Sequence, residues 1–514
     1  MLFSELVAIS ARVGATRSRN AKIALVAGLL RDAVADDEVE LAASYLAGIL
    51  PQRRVGVGYR SLVKMPAAAA EPSLTVTDVD AAMRDLADAN GPGSAGVRDD
   101  VLHSMLSSST APEQRFLKGL ITGELRQGAQ DGVMLAAIAA AADVPIAAIR
   151  RASMLAGFTA PVAAAALSGG AAALDEIGLS PGRPLRPMLA ASDTTVTEAF
   201  ETINAAGAEV AVECKLDGIR IQAHKVAGDV ALFTRSLEEI TARLPEVVEA
   251  VAALPAEQLV LDGEVIALRE NGVPHPFQVT GARTASRKNP DRLREETPLT
   301  PWFFDALHLD GVDLIDEPAK SRWDTLRTLV PESLLVPRVV TADPEQGQEF
   351  FREKVAAGHE GVVVKSLDAP YAAGRRGAGW VKVKPRHTLD LVVLAVERGS
   401  GRRAGLLSNI HLGARDAEAG GFVMLGKTFK GMTDEILAWQ TERFNELMVS
   451  DDGWTLTLRP EQVVEIAFDG VQRSTRYPGG MALRFARVLR YRDDKHAEDA
   501  DTVDLVREVA QWDT

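Results

Sequence analysis

The stretch Val212-Glu213-Cys214-Lys215-Leu216-Asp217-Gly218-Ile219-Arg220 decides how this chain is interpreted. Mostly apolar residues lead up to Lys215 and a glycine-containing turn follows, which predicts a lysine that ends a short buried strand and faces a cleft. A desolvated lysine beside other cations loses its proton more easily than one in water and becomes a nucleophile. The bare K-x-D-G pattern is more often a surface lysine in a β-turn, so the interpretation depends on the rest of the chain.

Further motifs follow in order along the chain. They are Thr234-Arg235-Ser236, Leu261-Asp262-Gly263-Glu264-Val265-Ile266, Trp302-Phe303-Phe304-Asp305-Ala306, Glu360-Gly361-Val362-Val363-Val364-Lys365, Trp380-Val381-Lys382-Val383-Lys384, and Leu483-Arg484-Phe485-Ala486-Arg487 continuing to Arg492-Asp493-Asp494-Lys495. The ordered set resembles the covalent nucleotidyltransferase superfamily and, within it, ATP-dependent DNA ligases with a helical N-terminal DNA-binding domain. These motifs span 213 to 495, and similarity in Arg115-Phe116-Leu117-Lys118 and in the linker over 183–190 extends the match upstream.

The resemblance implies a multidomain chain. The expected parts are an all-α DNA-binding domain over 1–182, an α+β nucleotidyltransferase (ATP-grasp-like) domain over 183–384, and a C-terminal OB-fold β-barrel over 385–514. Helical periodicity in the first part and short β-branched runs in the other two agree with this order. Strands are predicted over 210–214, 258–266, 302–307, 361–365, 389–396, 421–425, 456–458 and 462–467, and a helix is predicted over 433–447. About five strands with one helix after Pro385 suit a small barrel.

The resemblance also assigns the reacting residues. Lys215 is the expected nucleophile, which attacks the α-phosphate of ATP and becomes a lysyl-adenylate. This step needs a neutral amine, charge neutralisation on the phosphates and in-line geometry. The residues expected at the nucleotide are Glu213, Arg220, Arg235, Glu264, Phe304, Arg376, Lys382 and Lys384. Of these, Arg220, Lys382 and Lys384 are expected to supply cations to the phosphates.

ATP and Mg²⁺ are the expected cofactors. Glu264 and Glu360 are placed at strand ends, and their carboxylates suit a cation that prefers oxygen ligands and bridges phosphates. In the resembled family, Glu264 would also lie near the ribose. Asp217 either helps to hold the metal or caps the turn after Lys215, and the sequence leaves both open.

The basic tail is expected to act on the leaving group. The resemblance implies that Arg484, Arg487, Asp494 and Lys495 move over the nucleotide and orient the leaving pyrophosphate, whereas a solvated strand edge is the structural alternative. Relatives usually carry proline where this chain has Ala486, which leaves the stiffness of the loop open.

Two nucleotide assignments have competing neighbours. Phe304 is expected to stack on adenine, but Trp302 and Phe303 stand beside it, and any of the three suits a core aromatic. Arg376 is expected at the nucleotide, and Arg375 is its alternative if the alignment shifts by one residue.

Charge patterning favours a nucleic-acid partner despite a formal net charge of −14. Two stretches, 6–30 and 41–70, contain arginine and lysine and no acidic residue, although each alone would suit a solvated face. Their cations are Arg12, Arg17, Arg19, Lys22, Arg53, Arg54, Arg60 and Lys64. The glycine-rich segment 121–132 is expected on the DNA minor groove, with a glycine-terminated helix as its alternative. Nicked duplex DNA is therefore the expected partner.

The cysteine count and the hydropathy pattern argue against a disulfide-bonded protein and against a membrane-spanning protein. Cys214 is the only cysteine, so it forms no intrachain disulfide, and a small apolar filler is favoured over a redox sensor. The uncharged stretch 152–174 is long enough for a bilayer, but it is rich in alanine, glycine and serine and includes Pro161, which favours a buried helix pair. We expect a soluble, cytoplasmic monomer with no membrane association.

One motif is misleading. The stretch Gly421-Phe422-Val423-Met424-Leu425-Gly426-Lys427-Thr428 matches the P-loop pattern G-x-x-x-x-G-K-[ST]. A P-loop needs a flexible phosphate-binding loop with a helix starting at its lysine. The middle of this stretch is strand-like instead, and Gly431 interrupts the segment soon afterwards, so the P-loop interpretation is rejected.

The conclusion from sequence is an ATP-dependent DNA ligase that seals 5′-phosphate/3′-hydroxyl nicks, an activity used in DNA replication, repair and recombination. An NAD-dependent ligase is disfavoured because that family carries a four-cysteine zinc module. An RNA-capping guanylyltransferase shares the lysine and the barrel but lacks a large basic helical N-terminal domain. The alternative from another class is a non-catalytic nick-binding protein, and the joint presence of Lys215, Glu264, Glu360 and Lys382 speaks against it.

Overall fold

The computed structural model describes residues 1–33, 35–125, 127–129, 131–203, 207–372, 376–400 and 403–510, without the side chains of 376–378. The described chain begins with a helical region. Two five-stranded sheets with flanking helices follow, and a β-rich region ends the chain.

The N-terminal region is helical, as the sequence predicts. Its helices are α1 (Phe3–Ala15), α2 (Arg19–Asp32), α3 (Asp36–Leu46), α4 (Val76–Asp88), α5 (Ser94–Ser107), α6 (Ala111–Thr122), α7 (Asp131–Ala142), α8 (Ile146–Ala156) and α9 (Thr159–Asp175). Their apolar faces share one buried core. Local signals fix the helix ends: Thr75 and Asp78 form a capping box at the start of α4, and Gly157 ends α8 in the left-handed conformation that favours glycine.

The bilayer-length stretch forms the predicted helix pair. It falls across α8 and α9, which pack against each other, and Val162, Ala163 and Ala166 of α9 are buried in the helical core. Across the described parts of the chain, we find no helix with the length and hydropathy required to cross a bilayer.

The middle region contains both sheets. Its elements are β1 (Leu189–Asp193), α10 (Val196–Thr202), β2 (Val210–Lys215), β3 (Ile219–Val226), β4 (Asp229–Thr234), α11 (Pro245–Ala252), β5 (Gln258–Ala267), α12 (Phe277–Ala285), α13 (Pro290–Glu296), β6 (Leu299–Leu309), β7 (Val312–Asp313), α14 (Ala319–Leu329), β8 (Arg338–Thr341), α15 (Pro344–Ala356), β9 (Gly361–Ser366) and β10 (Arg376–Val383). The first sheet has the order β1-β10-β9-β2-β8 and the second β4-β3-β5-β6-β7. Strands β2 and β3 belong to different sheets, so the K-x-D-G turn connects them.

The strand that carries the K-x-D-G lysine is buried as predicted. Residues 210–214 of β2 are buried and Lys215 at its end is partly exposed. Strand β2 pairs with β9, and Lys215 lies opposite Gly361 in this pairing. Glu360, the residue before Gly361, is thereby placed next to the lysine. Burial on both faces explains why β2 is apolar along most of its length rather than alternating.

The C-terminal region is richer in strands than the sequence predicts. Its elements are β11 (His387–Arg398), β12 (Leu407–Arg415), β13 (Phe422–Thr428), α16 (Asp434–Glu446), β14 (Met448–Asp451), β15 (Thr455–Leu458), β16 (Val463–Phe468), β17 (Gly470–Arg473), β18 (Met481–Arg484), β19 (Arg487–Tyr491) and α17 (Val503–Ala510). About five strands and one helix were expected, and the described residues contain nine strands and two helices. Among the strands missed by the sequence, β14, β17, β18 and β19 have only four or five residues, too few for a period-two pattern to stand out. Strand β12 was also missed, although it has nine residues.

The P-loop lookalike is a strand, which confirms its rejection. Residues Phe422–Thr428 form β13, and Lys427 makes an ion pair with Glu397 of β11 rather than starting a helix.

Candidate active site

A cleft of about 920 Å³ opens where β2 and β3 meet the C-terminal region. Its lining includes Glu213, Lys215, Asp217, Arg220, Arg235, Glu264, Phe277, Phe304, Glu360, Lys365, Trp380, Lys382, Lys384, Arg484 and Phe485. Residues far apart in sequence, from β2 to β18, therefore meet at one concave surface. The cleft holds most of the residues that the sequence singled out.

Lys215 is held by a carboxylate on the residue immediately before the neighbouring strand β9. Its Nζ makes an ion pair with Glu360, and the other oxygen of Glu360 pairs with Lys384. Lys384 also reaches Asp469, with 3.1 Å between Nζ and Oδ2. Burial would raise the pKa of Glu360, but Lys215 and Lys384 outweigh it and keep this pKa below its ordinary value. Glu360 is therefore a charged link between two lysines of the cleft.

Glu264 lies beneath the K-x-D-G turn. The backbone N–H of Gly218 donates to its Oε1 at 2.7 Å. Burial raises the pKa of Glu264 to about 7, while the charge of Lys215 opposes that rise. Glycine is required at 218 because an added Cβ would lie 2.3 Å from the carbonyl oxygen of Val265. The turn therefore approaches β5 closely enough to bring Glu264 into the cleft.

Arg220 has a carboxylate partner that the sequence did not indicate. Its guanidinium binds Asp262 through Nε at 2.9 Å and Nη2 at 2.6 Å, and its Nη1 donates to the carbonyl oxygen of Met188 at 2.6 Å. Asp262 is fully buried. Arg220 still lines the cleft, but its charge is already balanced within the protein.

An aromatic wall, formed by Phe304 and Trp380, closes one side of the cleft. The two rings meet edge to face with 5.9 Å between their centroids. Lys365 lies over both rings, at 4.6 Å from the centroid of Phe304 and 4.2 Å from that of Trp380. The neighbouring Phe303 is completely buried on the other face of β6, so among the two phenylalanines Phe304 faces the cleft.

Glu213 sits behind this wall. It is buried and makes ion pairs with Lys365 and with Arg338, the latter at 3.4 Å. The adjacent Cys214 is also buried, and burial raises the pKa of its thiol to about 12. A thiol held in this protonated form is unreactive, which agrees with Cys214 as a packing residue.

The remaining nucleotide candidates lie at the edges of the cleft. Arg235, on the turn after β4, and Lys382, on β10, both line it. Arg375 lies outside the described residues, and so does the side chain of Arg376, although the backbone of Arg376 begins β10. The choice between these two arginines stays a prediction.

The basic tail is divided between two places. Arg484 enters the cleft and binds Asp217, with 2.8 Å between Nη1 and Oδ2, and its guanidinium lies 5.4 Å from the ring centroid of Phe277. The other tail residues are elsewhere. Arg487 is exposed on β19, Asp494 pairs with Arg492, and Lys495 pairs with Asp390.

The loop at Ala486 is fixed without a proline. Ala486 is buried, and its carbonyl oxygen accepts a hydrogen bond from Thr428 Oγ1 at 2.5 Å. The preceding Phe485 adopts φ 55°, a left-handed conformation uncommon for an aromatic residue.

The first basic stretch is partly used inside the protein. Arg19 donates to the carbonyl oxygen of Gly132 at 3.2 Å, and Lys22 donates to that of Gln127 at 2.8 Å. These cations support the glycine-rich segment, and Gly123 ends α6 in the left-handed conformation expected of a glycine-terminated helix. Arg126 and Gln130 lie outside the described residues. The exposed cations of the two stretches are Arg12, Arg17, Arg19, Arg53, Arg54, Arg60 and Lys64.

Several residues that line the cleft or bind its lining side chains carried no role in the sequence-based prediction. They are Asp262, Phe277, Lys365, Trp380, Asp469 and Phe485. Asp262, Lys365 and Trp380 stand inside the quoted motifs, so their strand positions could have marked them. Phe277 and Asp469 stand outside every quoted motif, and only the three-dimensional arrangement brings them to the site.

Three family models match the chain. They are "ATP dependent DNA ligase domain" over residues 187–384, "ATP dependent DNA ligase C terminal region" over residues 403–495, and "DNA ligase N terminus" over residues 55–139.

Relatives match along nearly the whole length. The chain is 58% identical to a probable DNA ligase of Beutenbergia cavernae, covering 99% of this chain and 100% of that protein. It is 57% identical to a probable DNA ligase of Kineococcus radiotolerans, with the same coverage of 99% and 100%. The solved structure named Pmar-Lig_PreS3 shares the fold with a TM-score of 0.62 at 20% identity, covering 96% of this chain and 100% of that one.

Proposed function

Because the chain belongs to the family of ATP-dependent DNA ligases, we propose that it seals 5′-phosphate/3′-hydroxyl nicks in duplex DNA through a lysyl-AMP intermediate on Lys215. The single observation that carries the assignment of the nucleophile is the position of Lys215. It ends a buried strand inside the cleft and is surrounded by carboxylates and further cations. We take residues 1–182, 183–384 and 385–514 as the chain's three domains.

The first step forms a bond between Lys215 and AMP. The Nζ attacks the α-phosphorus of ATP, a P–N bond forms, the bond to the bridging oxygen of the β-phosphate breaks, and pyrophosphate leaves. Glu360 already accepts a hydrogen bond from Nζ and is therefore placed to take its proton. Lys382, Lys384 and Arg235 line the same cleft and offset the charge of the phosphates, and Arg220, whose charge is paired with Asp262, lines it beside them.

The next two steps use the adenylate. An oxygen of the DNA 5′-phosphate attacks the adenylate phosphorus, the P–N bond breaks, and Lys215 is released as an amine. The 3′-hydroxyl then attacks the 5′-phosphate, the phosphodiester bond forms, and AMP leaves. Because the lysine is restored, one protein molecule can repeat the cycle.

The carboxylates of the cleft fit a magnesium ion together with substrate phosphates. Among the described residues, no three acidic, histidine or cysteine side chains cluster closely enough to form a metal site by themselves. Glu264, Glu360 and Asp217 nevertheless line one cleft, and Mg²⁺ commonly takes one or two carboxylates plus phosphate oxygens. These residues would hold the ion, which would supply charge stabilisation at the phosphates. A nearby cation would also favour the charged form of Glu264 over the neutral form that burial favours.

The C-terminal region is proposed to be an OB-type barrel that places its basic residues against the nucleotide. Its long strand β11 pairs with β16 over 387–392, with β15 over 395–397 and with β12 over 392–398, as expected of a strand shared around a small barrel. Arg484 is already in the cleft. Arg487, Asp494 and Lys495 reach the pyrophosphate only if the barrel turns, which requires the ion pair between Arg484 and Asp217 to open.

Phe304→Ala is expected to raise the KM for ATP. Stacking of a base on an aromatic side chain contributes about 1–3 kcal/mol, which corresponds to roughly five- to 150-fold in KM. The measurement is the ATP dependence of AMP attachment. Phe303→Ala is the comparison, because it removes a buried ring from the core and should lower the melting temperature more than it changes KM. If Phe303→Ala raises KM and Phe304→Ala does not, the adenine contact has been misplaced by one residue.

Glu360→Gln is expected to weaken the chemical steps more than ATP binding. The substitution keeps the shape of the side chain but removes the charge that lies between Lys215 and Lys384. Sealing of a pre-adenylated nick should then require more Mg²⁺ than the wild type does. A titration of Mg²⁺ against the sealing rate measures this, and an unchanged Mg²⁺ requirement contradicts a role of Glu360 at the metal.

The overall function is tested with labelled nucleotides. The protein is incubated with labelled ATP or labelled GTP, denatured and separated on a gel. Retention of label from ATP and not from GTP, followed by joining of nicked duplex DNA, is the expected result. Label from GTP alone would indicate a capping-type guanylyltransferase, and DNA binding without label would indicate a nick-binding protein.

A further inference from the structure

A buried polar cluster, which we define as Tyr371, Asp262, Arg220 and the backbone of Met188, lies behind the aromatic wall. The Tyr371 hydroxyl donates to Asp262 Oδ2 at 2.8 Å and accepts from the Met188 N–H at 3.0 Å. Asp262 in turn holds the guanidinium of Arg220 through both oxygens. Burial raises the pKa of Tyr371 well above its ordinary value, so the hydroxyl keeps its proton and remains a donor. Every member is thus fixed by another.

The cluster connects the interdomain linker to the nucleotide cleft. Met188 is bound at both backbone groups, since its carbonyl oxygen also accepts from Arg220 Nη1 at 2.6 Å. The next residues, Leu189 and Ala190, line the cleft. Upstream, the linker is held in the same way, because the side-chain amide of Gln222 binds both the N–H and the carbonyl oxygen of Leu185. The linker is therefore a fixed wall of the cleft.

The same cluster supports the rings that face the nucleotide. The guanidinium carbon of Arg220 lies 5.5 Å from the ring centroids of both Phe304 and Trp380. Tyr371 meets Trp380 edge to face, with 6.0 Å between centroids. A hydrogen bond lost at Tyr371 would loosen Asp262, then Arg220, and with them the surface on which the base and ribose are placed.

We propose that Tyr371 is a positioning residue for ATP: its hydroxyl, through Asp262 and the Met188 backbone, fixes Arg220 and the aromatic wall in the arrangement that binds the nucleotide. Tyr371 does not line the cleft and acts only through these neighbours. This inference rests on the proposed function, because it assigns the cleft to ATP.

The test is Tyr371→Phe in the full-length protein. The substitution removes the hydroxyl and keeps the ring against Trp380, so the fold should persist. The KM for ATP in lysyl-adenylate formation should rise about three- to tenfold, the range expected for one buried hydrogen bond, while the rate at saturating ATP changes less than twofold. Asp262→Asn, which also removes the charge paired with Arg220, should raise the KM further.

Tyr45→Phe is the control for removing a buried tyrosine hydroxyl, one that has no hydrogen-bond partner among the described residues. Tyr45 is the other completely buried tyrosine, it lies in the helical core, and its loss of a hydroxyl should leave the KM for ATP unchanged. Melting temperatures of both variants separate a general loss of stability from an effect on ATP. An unchanged KM in Tyr371→Phe overturns the proposal, as does a KM that rises equally in both variants. AMP attachment in the wild type, measured in parallel, tests the proposed function separately from this inference.

Discussion

Lys215→Ala should abolish covalent attachment of AMP. Lys215 provides the only nitrogen that we propose as the phosphoramidate donor, and alanine supplies none. The fold should persist, because one partly exposed lysine at the end of β2 contributes little to stability. Denaturing gels after incubation with labelled ATP measure the loss, which should be complete within detection, and circular dichroism confirms that the variant is folded.

Two further substitutions sharpen this result. Lys215→Arg should be equally inactive, because arginine keeps its charge but does not release its proton at neutral pH. Lys320→Ala, at an exposed position on α14, should attach AMP as the wild type does. Label retained by Lys215→Ala after denaturation would show that another residue is the nucleophile.

The Lys215→Ala variant should lose the first step of the cycle, the formation of lysyl-AMP, and should keep the last step, the sealing of an adenylated nick. Sealing of a nick that already carries AMP on its 5′-phosphate bypasses the attack by Lys215 on ATP. This variant should therefore retain more of its activity on pre-adenylated nicks than on ordinary nicks. Equal loss on both substrates would indicate that Lys215 is needed for DNA binding or for the final bond as well.

Loss of the helical region should spare AMP attachment and cripple nick sealing. The cleft is lined by residues from 189 onward, whereas the exposed cations of the two basic stretches lie before residue 71. Each lost phosphate contact should flatten the dependence of log affinity on log salt by about 0.9. A fragment starting at 183 should therefore bind nicked DNA weakly, with a flatter salt dependence than the full chain.

A full-length variant is needed as a control for the fragment, because the helical region also packs against the middle region. Met154 and Leu155 of α8 share a buried cluster with Leu185 and Val260, and Arg186 binds Asp131 at 2.8 Å. Truncation would expose this apolar surface. A full-length variant that replaces Arg54, Arg60 and Lys64 by alanine removes exposed charge and leaves the buried cluster intact.

The fragment and the full-length triple variant should change DNA binding in the same direction. The triple variant should attach AMP normally, bind nicked DNA more weakly at physiological salt and show a flatter salt dependence, measured by fluorescence anisotropy at several salt concentrations. Full sealing by both proteins at physiological salt would show that the helical region and its exposed cations serve something other than DNA. The basic stretches would then be an ordinary solvated surface.

Part of the cleft could be predicted from local sequence patterns. Lys215, Glu264 and Phe304 stand at strand ends or on strands whose apolar pattern is readable, so their strands could be predicted, whereas the choice of Phe304 among three adjacent aromatic residues came from the family resemblance. The structure adds that Phe303, the neighbour of Phe304, is completely buried. The pattern therefore supplied the positions of the strands, and the structure supplied the face on which each side chain lies.

The partners of these residues could not be predicted in the same way. Asp262 binds Arg220 across 42 residues of sequence, and Tyr371 binds Asp262 across 109 residues. Hydrogen bonds of this kind depend on how two strands and a loop pack together, and a period along one strand carries no information about them. The same holds for Arg484, which reaches Asp217 across 267 residues.

The basic stretches illustrate a different limit. Composition indicated cations without acidic neighbours, but it did not distinguish cations that face solvent from those that support the fold. Lys22 donates to the carbonyl oxygen of Gln127, and Arg19 donates to that of Gly132. Charge that caps backbone carbonyls in this way is less available for DNA phosphates.

The central claim is that Lys215 carries AMP, and tandem mass spectrometry of the ATP-treated protein tests it most directly. The full-length protein is incubated with ATP and Mg²⁺, without DNA, and digested under conditions that preserve the phosphoramidate bond. The peptide that contains Lys215 should carry the added mass of one AMP residue, and nicked duplex DNA added after removal of free ATP should discharge it. AMP found on a different residue, or a Lys215 peptide that is never modified while nicks are sealed, would contradict the account.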